Sequence, residues 1–325
     1  MPLLRHCIAM AAAGTLALTA CGSTEDPASS PVGAAGEPVS VTDARGVSVK
    51  LDAPAERVVA LEWNVVEHAV SLGVMPVGVS DVKGYGNWAQ SAPLDATVTD
   101  VGVRGEPSVE AIAGLEPDLI LATKDLQEAA IAQLEKLAPV VVAASADARD
   151  NIATMTADLN MVATATASED EAAALLAAFE SKLADGKAAL AEAGLGGSPF
   201  FMTDAWLDGG KVSIRPFAEG SLLSDVTERL GLVNAWPDKG DPMYGLGSTD
   251  VEGLTALPDK TTLFYIANSA DGGDPFEKGL SDNAVWTALP FVESGDVHRL
   301  PDGIWMFGGP ASMTAYVDAV TAALA

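Results

Sequence analysis

Cysteine is nearly absent from this sequence, with two in 325 residues, Cys7 and Cys21, both close to the amino terminus. A chain without cysteine beyond position 21 can form neither a disulfide within its body nor a thiolate metal site. Its stability must therefore come from a packed core. With 49% hydrophobic residues, the chain is long enough for two domains of ordinary size.

Positive charge and histidine are also scarce. The chain has 18 lysine and arginine residues against 45 acidic ones, a formal net charge of -27. Such a surface repels nucleic acid, and an anionic ligand would need arginines of its own nearby. The histidines His6, His68 and His298 are isolated from one another. Direct binding of zinc or manganese needs several converging ligands, so neither a metal site nor a cofactor is expected.

Motifs of enzymes are missing as well. The sequence contains no G-x-S-x-G, H-E-x-x-H or G-x-x-x-x-G-K-[ST]. Ser80-Asp-Val-Lys83 matches the S-x-x-K string of penicillin-binding proteins, but no S-D-N or K-T-G accompanies it, and Lys260-Thr-Thr262 falls short. We do not expect an enzyme. A secreted lipoprotein enzyme is the alternative from another functional class.

The amino terminus has the features of a secretory signal. Arg5 precedes a short apolar run from Cys7 to Ala20, which is too short to cross a membrane because a span needs roughly 20 apolar residues. Leu18-Thr-Ala-Cys-Gly22 resembles the lipobox of bacterial lipoproteins, in which the cysteine is acylated after cleavage. An incidental cysteine is the alternative. We predict a signal peptide over 1–20 and extracytoplasmic anchoring by lipid on Cys21.

The rest of the chain predicts an α/β protein of two lobes. Residues 21–38 are rich in Ser, Pro, Gly and Ala and predict a disordered tether. Short apolar strands then alternate with helices, which favours mostly parallel sheets in an amino-terminal lobe over 39–165 and a carboxyl-terminal lobe over 195–325. Between them, 166–194 predicts one long connecting helix. Ser168 and Glu171 resemble a capping box at its start.

One segment occurs twice in altered form. Pro107–Asp118 and Thr249–Asp259 each combine a short capped helix, a glutamate near its start and a Pro-Asp break before a buried strand. Glu110 and Glu252 occupy corresponding places. The helix dipole alone stabilises a glutamate there by roughly 0.3 to 1 kcal/mol. Because the glutamate occurs in both halves, we hypothesise that the pair docks on two basic sockets of a symmetric partner.

A set of segments from about Val39 onward forms a recognisable pattern: Asp43–Gly46, Glu56–Trp63, Leu72–Val79, Asp81–Tyr85 with Trp88, Val101–Pro107, the repeated Glu-to-Pro-Asp segment and Ser221–Val226. Through these segments the chain resembles the iron-siderophore branch of the substrate-binding proteins of ABC importers, which also includes the vitamin B12 binder. The resemblance implies a monomer with a ligand cleft between lobes joined by one rigid helix. It also implies that Glu110 and Glu252 contact permease arginines, with Asp250 as the substitute for Glu252.

The same resemblance implies a set of ligand-binding residues on loops that face the cleft: Trp63, Tyr85, Trp88, Arg104, Arg215, Tyr244 and Trp305. Flat rings and guanidinium groups suit a bulky chelate with carboxylate or hydroxamate oxygens. The tryptophans could instead be core residues, and the arginines could pair with surface acids. The expected function is capture of a ferric siderophore, of citrate or hydroxamate type, for a permease and its ATPase. Haem, bound by Tyr85 or Tyr244, or cobalamin is the alternative ligand.

Overall fold

The computed structural model describes residues 37–324. The predicted signal peptide, the predicted lipidation site Cys21 and most of the predicted tether lie outside the described residues. Among the helices of residues 37–324, none combines the length and the hydropathy that a membrane span requires.

The first half of the described chain forms a parallel five-stranded sheet. Its strands and helices are β1 (Val39–Thr42), β2 (Ser48–Leu51), β3 (Val58–Ala60), α1 (Trp63–Ser71), β4 (Gly78–Val79), α2 (Val82–Trp88), β5 (Thr99–Asp100), β6 (Gly102–Val103), β7 (Glu106–Pro107), α3 (Val109–Gly114), β8 (Leu119–Thr123), α4 (Glu128–Leu134) and β9 (Val140–Ala143). The sheet has the order β5-β4-β3-β8-β9, and all its neighbours are parallel. β1 and β2 precede this sheet and pair with each other as an antiparallel hairpin.

Two helices follow the first sheet, α5 (Asn151–Thr166) and α6 (Glu169–Glu192). They are separated by Ala167, whose φ of 51° is left-handed, and Ser168. The capping-box prediction is wrong, since Ser168 makes no side-chain cap bond and its hydroxyl lies 2.6 Å from that of Thr166. The long helix predicted over 166–194 is present as α6. The lobe boundaries drawn from it, 39–165 and 195–325, stay a prediction.

The second half forms a mixed sheet. Its elements are β10 (Pro199–Asp208), β11 (Lys211–Pro216), α7 (Leu222–Arg229), β12 (Val233–Asn234), a 3₁₀ helix (Gly253–Ala256), β13 (Thr262–Ile266), α8 (Pro275–Leu280), α9 (Ala284–Thr287), α10 (Pro290–Glu293), β14 (Val297–Arg299) and α11 (Pro310–Ala323). The order is β11-β10-β13-β14, with β12 beside the start of β10. β11 is antiparallel to β10, and the other pairs are parallel.

Both sheets contribute one face to a common core. Along β8, Leu119 and Leu121 belong to a central hydrophobic cluster, while Ile120 and Ala122 belong to a cluster on the opposite face. On β10, Phe200 joins the same central cluster. This alternation follows from the two-residue period of a strand. Each sheet thus has an inner face, turned to the central cluster, and an outer face with its own cluster.

Glycine allows α6 to lie close to its neighbours in that core. A Cβ on Gly186 would come within 2.9 Å of Leu230 and 3.1 Å of Val317, which lies on α11. Because a glycine in the interior of a helix costs about 1 kcal/mol relative to alanine, its presence here is explained by the close approach of these side chains. The central helix is therefore fitted against the second half of the molecule.

Candidate functional site

A cavity of about 300 Å³ opens where loops of the two halves meet. It is lined by Glu62, Asn64, Arg104, Asp125, Ser145, Arg215, Tyr244, Leu246, Trp305 and Phe307. In the first half, Glu62, Asp125 and Ser145 each follow a parallel strand. Ligands of open α/β sheets bind at the carboxyl ends of such strands, so the cavity lies where this architecture favours a site.

Arg104 is presented by a small hairpin and is paired with a carboxylate. It lies between β6 and β7, followed by Gly105, whose φ of +81° makes the turn. Its Nε donates to one carboxylate oxygen of Glu62 at 3.0 Å, and its Nη2 forms an ion pair with the other oxygen at 2.7 Å. Glu62 also caps α1 by accepting from the backbone N–H of Trp63. The start of α1 thus positions an arginine of the site.

Aromatic rings form one side of the cavity around Trp305. Its ring centroid lies 4.7 Å from that of Trp63, 5.2 Å from that of Phe307 and 6.3 Å from that of Trp88. The guanidinium carbon of Arg104 lies 4.2 Å from the ring centroid of Trp63 and 5.2 Å from that of Trp305. These distances are within the range of cation–π contacts. The arrangement offers flat apolar surface beside charged hydrogen-bond donors.

Arg215 enters the cavity from the second half, on β11. Its guanidinium donates to both carboxylate oxygens of Asp204, which lies opposite it on β10. Burial raises the pKa of Asp204, and the arginine opposes this effect. We assign an ionised carboxylate, because a two-point bond to guanidinium requires both oxygens as acceptors. The guanidinium carbon also lies 5.4 Å from the ring of Phe307.

Tyr244 lies in a loop that packs closely on the start of α7. Gly245 has a φ of +69°, and a Cβ there would lie 2.4 Å from the backbone nitrogen of Ser221. The hydroxyl of Tyr244 donates to Asp125 at 2.7 Å. Burial, and next the charge of Asp125, raise the pKa of Tyr244 well above its usual range. Tyr244 is therefore a neutral hydrogen-bonding group.

The structure brings together four of the seven predicted ligand residues, since Arg104, Arg215, Tyr244 and Trp305 line the cavity. Trp63 is buried behind them, with its indole N–H donating to the carbonyl of Ser80 at 3.2 Å.

The other two predicted residues lie outside the cavity. Tyr85 is fully buried, and its hydroxyl donates to the carbonyl of Ala92 at 2.7 Å. Trp88 faces a neighbouring depression, where its indole N–H donates to Asp271 at 3.0 Å. Both lie on the helix α2, whereas the resemblance implied loop positions that face the cleft. A Cβ on Gly84 would lie 2.2 Å from Asp81 and 2.5 Å from Trp63, so close packing explains this glycine.

The sequence prediction missed six residues of the cavity: Glu62, Asn64, Asp125, Ser145, Leu246 and Phe307. Three of them could have been found, because Glu62, Asp125 and Ser145 come within two residues of the ends of buried strands. The carboxyl ends of parallel strands meet at one edge of a sheet, so polar residues there are candidates for a site. Phe307 offers no comparable signal.

The two predicted docking glutamates are both exposed. Glu110 lies in the first turn of α3, and Glu252 is the amino-terminal cap residue of the 3₁₀ helix. The second copy of the repeat is thus a 3₁₀ helix of Gly253–Ala256 instead of an α-helix. The two helices pack through Ile112 and Leu254 on the outer faces of their sheets, directly before β8 and β13. The glutamates hold corresponding places in the two halves.

Comparison with known proteins gives one family. The family model for "Periplasmic binding protein" matches residues 58–303. The chain is 26% identical to the iron(3+)-hydroxamate-binding protein FhuD of Escherichia coli over 80% of this chain and 84% of that protein. It is 29% identical to the probable siderophore-binding lipoprotein YfiY of Bacillus subtilis, over 93% of this chain and 92% of that one.

A solved structure agrees with these relatives. The siderophore-binding protein FhuD of Vibrio cholerae, crystallised with Fe³⁺ and Desferal, superposes with a TM-score of 0.72 and 28% identity. The match covers 83% of this chain and 97% of that one. The mixed α/β architecture with a parallel first sheet is therefore that of a known group of binding proteins.

Proposed function

The chain belongs to the periplasmic binding protein family, and from this premise we propose that it captures a ferric siderophore outside the cytoplasm and delivers it to an ABC importer. Relatives named for hydroxamate and siderophore binding support this ligand. The proposed role is capture and release, with no covalent bond made or broken.

The observation that carries the proposal is the composition of the cavity wall. Arg104 and Arg215 approach from different halves. The ring of Trp305 lies near Arg104, that of Phe307 lies near Arg215, and the ring of Tyr244 contacts that of Phe307. Each guanidinium uses Nε and Nη2 for its carboxylate partner, and its Nη1 has no hydrogen-bond partner among residues 37–324. Two free N–H edges over flat apolar surface suit a compact chelate whose outer oxygens accept hydrogen bonds.

Haem bound through a tyrosinate receives no support from the site. The hydroxyl of Tyr85 is buried and donates to a backbone carbonyl. Burial and Asp125 keep Tyr244 protonated, as its raised pKa indicates. An iron-ligating tyrosine would have to lose that proton beside a carboxylate, which the charge of Asp125 opposes.

Ligand titration tests the proposal directly. Trp305 and Trp63 adjoin the cavity, so their fluorescence should change in a saturable way with a ferric siderophore and not with haem or cobalamin. The ligand should be recovered unaltered, which separates a binding protein from an enzyme. We expect Arg104→Ala and Arg215→Ala each to weaken binding by about 1 to 3 kcal/mol, the usual cost of a lost charged hydrogen bond. Saturable binding of haem or cobalamin alone would overturn the proposal.

We further propose that Glu110 and Glu252 contact the permease, one from each half. Their exposure and their corresponding positions support this role. A variant with Glu110→Ala and Glu252→Ala should lose siderophore uptake by cells and keep its affinity for the ligand. The matched control carries Glu128→Ala and Glu293→Ala, which also removes one exposed glutamate from each half. Normal uptake by the first variant, or equal loss in both, would contradict the docking role.

The membrane anchor belongs to the same proposal. Relatives that are named lipoproteins support lipid on Cys21. Cys21→Ser should release the protein from the membrane fraction of cells that export it, and retention there would remove the anchor from the proposal.

A further inference from the structure

We propose that Asp125 determines specificity by pairing with an ammonium group on the chelate, so that the cleft selects a ferric hydroxamate bearing positive charge over an anionic chelate. This inference depends on the proposed function and concerns the same cavity. It follows from the net charge of the residues that line the cavity, after each arginine has been matched with its carboxylate partner.

Neither arginine of the cavity presents an unbalanced positive charge. Glu62 holds Arg104 through two oxygens, and these side chains are 16% and 35% exposed. Asp204 holds Arg215 in the same two-point manner, and the carboxylate is 10% exposed. A guanidinium matched by a carboxylate still offers N–H groups to a neutral acceptor. Its attraction for a distant anion is largely cancelled by its partner.

Asp125 adds a carboxylate without a cationic partner. Its Oδ2 accepts from the hydroxyls of Tyr244 at 2.7 Å and Thr123 at 3.1 Å, both of them neutral donors. Within residues 37–324, no lysine or arginine forms a salt bridge with Asp125. The lining residues and their ion-pair partners therefore comprise three carboxylates and two guanidinium groups. The cavity has an excess of negative charge, with Asp125 as the carboxylate left unmatched.

This excess favours one chemical class of ferric chelate. The charges of three hydroxamates balance that of Fe³⁺, so a ferric trihydroxamate has a neutral centre whose oxygens can accept from the free Nη1 of Arg104 and Arg215. An ammonium group on its backbone makes the chelate cationic and complements Asp125. Ferric citrate and ferric catecholate complexes keep negative charge, which Asp125 and the chain's net charge of -27 repel.

A matched pair of ligands isolates the effect. The first is a linear ferric trihydroxamate with a free terminal ammonium, and the second is the same chelate with that amine acetylated and therefore uncharged. Fluorescence titration of the wild type should give roughly tenfold tighter binding of the ammonium form, the size of one modest charge contact. An anionic ferric tricatecholate should bind more weakly than either.

A matched pair of variants assigns the effect to Asp125. Asp125→Asn removes the charge and keeps an oxygen that can accept from Tyr244, so the two hydroxamates should bind about equally. Glu128→Gln removes one exposed negative charge outside the cavity, at the start of α4, and should keep the tenfold preference. Equal binding of both hydroxamates by the wild type, or a preference retained in Asp125→Asn, would overturn the inference. Failure of every ferric chelate to bind would instead reject the proposed function itself.

Discussion

His68 lies at a contact between the two halves where a charge would be costly. It is 1% exposed on α1, and its Nδ1 has no hydrogen-bond partner within the part of the chain that the structure describes. Gly309, before α11, lies against the ring, since a Cβ there would come within 2.7 Å of Nδ1. Burial lowers the pKa of His68 from 6.5 to about 4. The folded protein therefore disfavours the protonated ring.

This placement predicts an acid-dependent loss of stability. Because the pKa is lower in the folded state, the contribution of neutral His68 is fully present above pH 6.5 and is lost as the pH falls toward 4. The loss is on the order of 3 kcal/mol, at about 1.4 kcal/mol per pKa unit. Urea unfolding at pH 7, 5.5 and 4.5 should show the stability gap between the wild type and His68→Gln narrowing with falling pH.

Other buried groups give the free energy of unfolding a pH dependence of opposite sign. The effect of His68 therefore has to be measured as the difference between the variant and the wild type. Burial raises the pKa of Asp158 to about 6, which by itself makes the folded state less stable as the pH rises through its titration. Both proteins share this contribution. Parallel pH curves for wild type and His68→Gln would show that His68 is not the titrating group.

The residues that line the cavity were the part that sequence reasoning predicted least well. Glu62 could have been named as a candidate from its place after a strand, but its pairing with Arg104, 42 residues away in the chain, could not have been predicted. Tyr85 was expected at the ligand, but its ring is buried behind Trp63. Sequence shows that a residue is aromatic or charged. Whether such a side chain faces a cavity or the core depends on packing between distant segments, which no local pattern contains.

At the scale of elements, local patterns were more informative. The Pro-Asp break that ends the segment Pro107–Asp118 predicted a buried strand after it, and β8, which begins at Leu119, is buried at every residue. Ser221 caps a helix in the structure, since its hydroxyl accepts from the N–H of Ser224 at the start of α7. Ser168 offered an equally good capping pattern, yet its hydroxyl bonds to that of Thr166. A run of apolar residues predicts a buried strand whichever hydrogen bonds form nearby. A helix cap, by contrast, forms only if the side chain has no nearer hydrogen-bond partner.

The loop that carries Tyr244 is held by one carboxylate. Asp241 accepts from the backbone N–H groups of Met243 and Tyr244 through Oδ1 and from that of Leu246 through Oδ2, all at 2.8 to 2.9 Å. Tyr244 and Leu246 line the cavity. The shape of the loop, and with it one wall of the cavity, therefore depends on the side chain of Asp241.

Replacing that carboxylate should harm binding more than folding. Asp241→Ala leaves three loop N–H groups without their acceptor, so Tyr244 should lose its fixed position and ligand affinity should fall roughly tenfold. The loop is near the surface, so the free energy of unfolding should change by only about 1 kcal/mol. Asp238→Ala, an exposed position in the same loop, is the control. If both variants bind the ferric chelate like the wild type, the loop does not depend on Asp241.

At the scale of the whole molecule, the two halves are joined by more than the chain connection. The central hydrophobic cluster draws side chains from both sheets and from the helices between them. Polar bonds add to it, since Asn268 donates to the carbonyl of Asn87 at 2.8 Å and the N–H of Gln90 donates to that of Gly303 at 2.9 Å. A closing motion would have to break these contacts. We therefore expect only small movements about the cavity.

Glu67 makes a further polar contact between the halves by capping α11, which belongs to the other half. Its carboxylate accepts from the N–H groups of Gly309 and Ser312 and from the hydroxyl of Ser312, at 2.6 to 2.9 Å, although Gly309 is 242 residues away in the chain. A carboxylate at a helix amino terminus is also favoured by the helix dipole. The same contact fixes the segment that directly follows Trp305 and Phe307. It therefore links the contact between the two halves to the wall of the cavity.

Two measurements test this rigidity together. Small-angle scattering should show that the radius of gyration changes by less than about 1 Å when the ferric chelate binds, as is usual for partners that are already shaped for binding. A change of several ångströms on binding would show a hinge instead.

Glu67→Ala should lower the free energy of unfolding by about 1 to 3 kcal/mol, because it leaves buried donors without an acceptor. Glu67→Gln keeps an acceptor oxygen and should lose less. Equal stability of the alanine and glutamine variants would show that the cap does not hold the halves together.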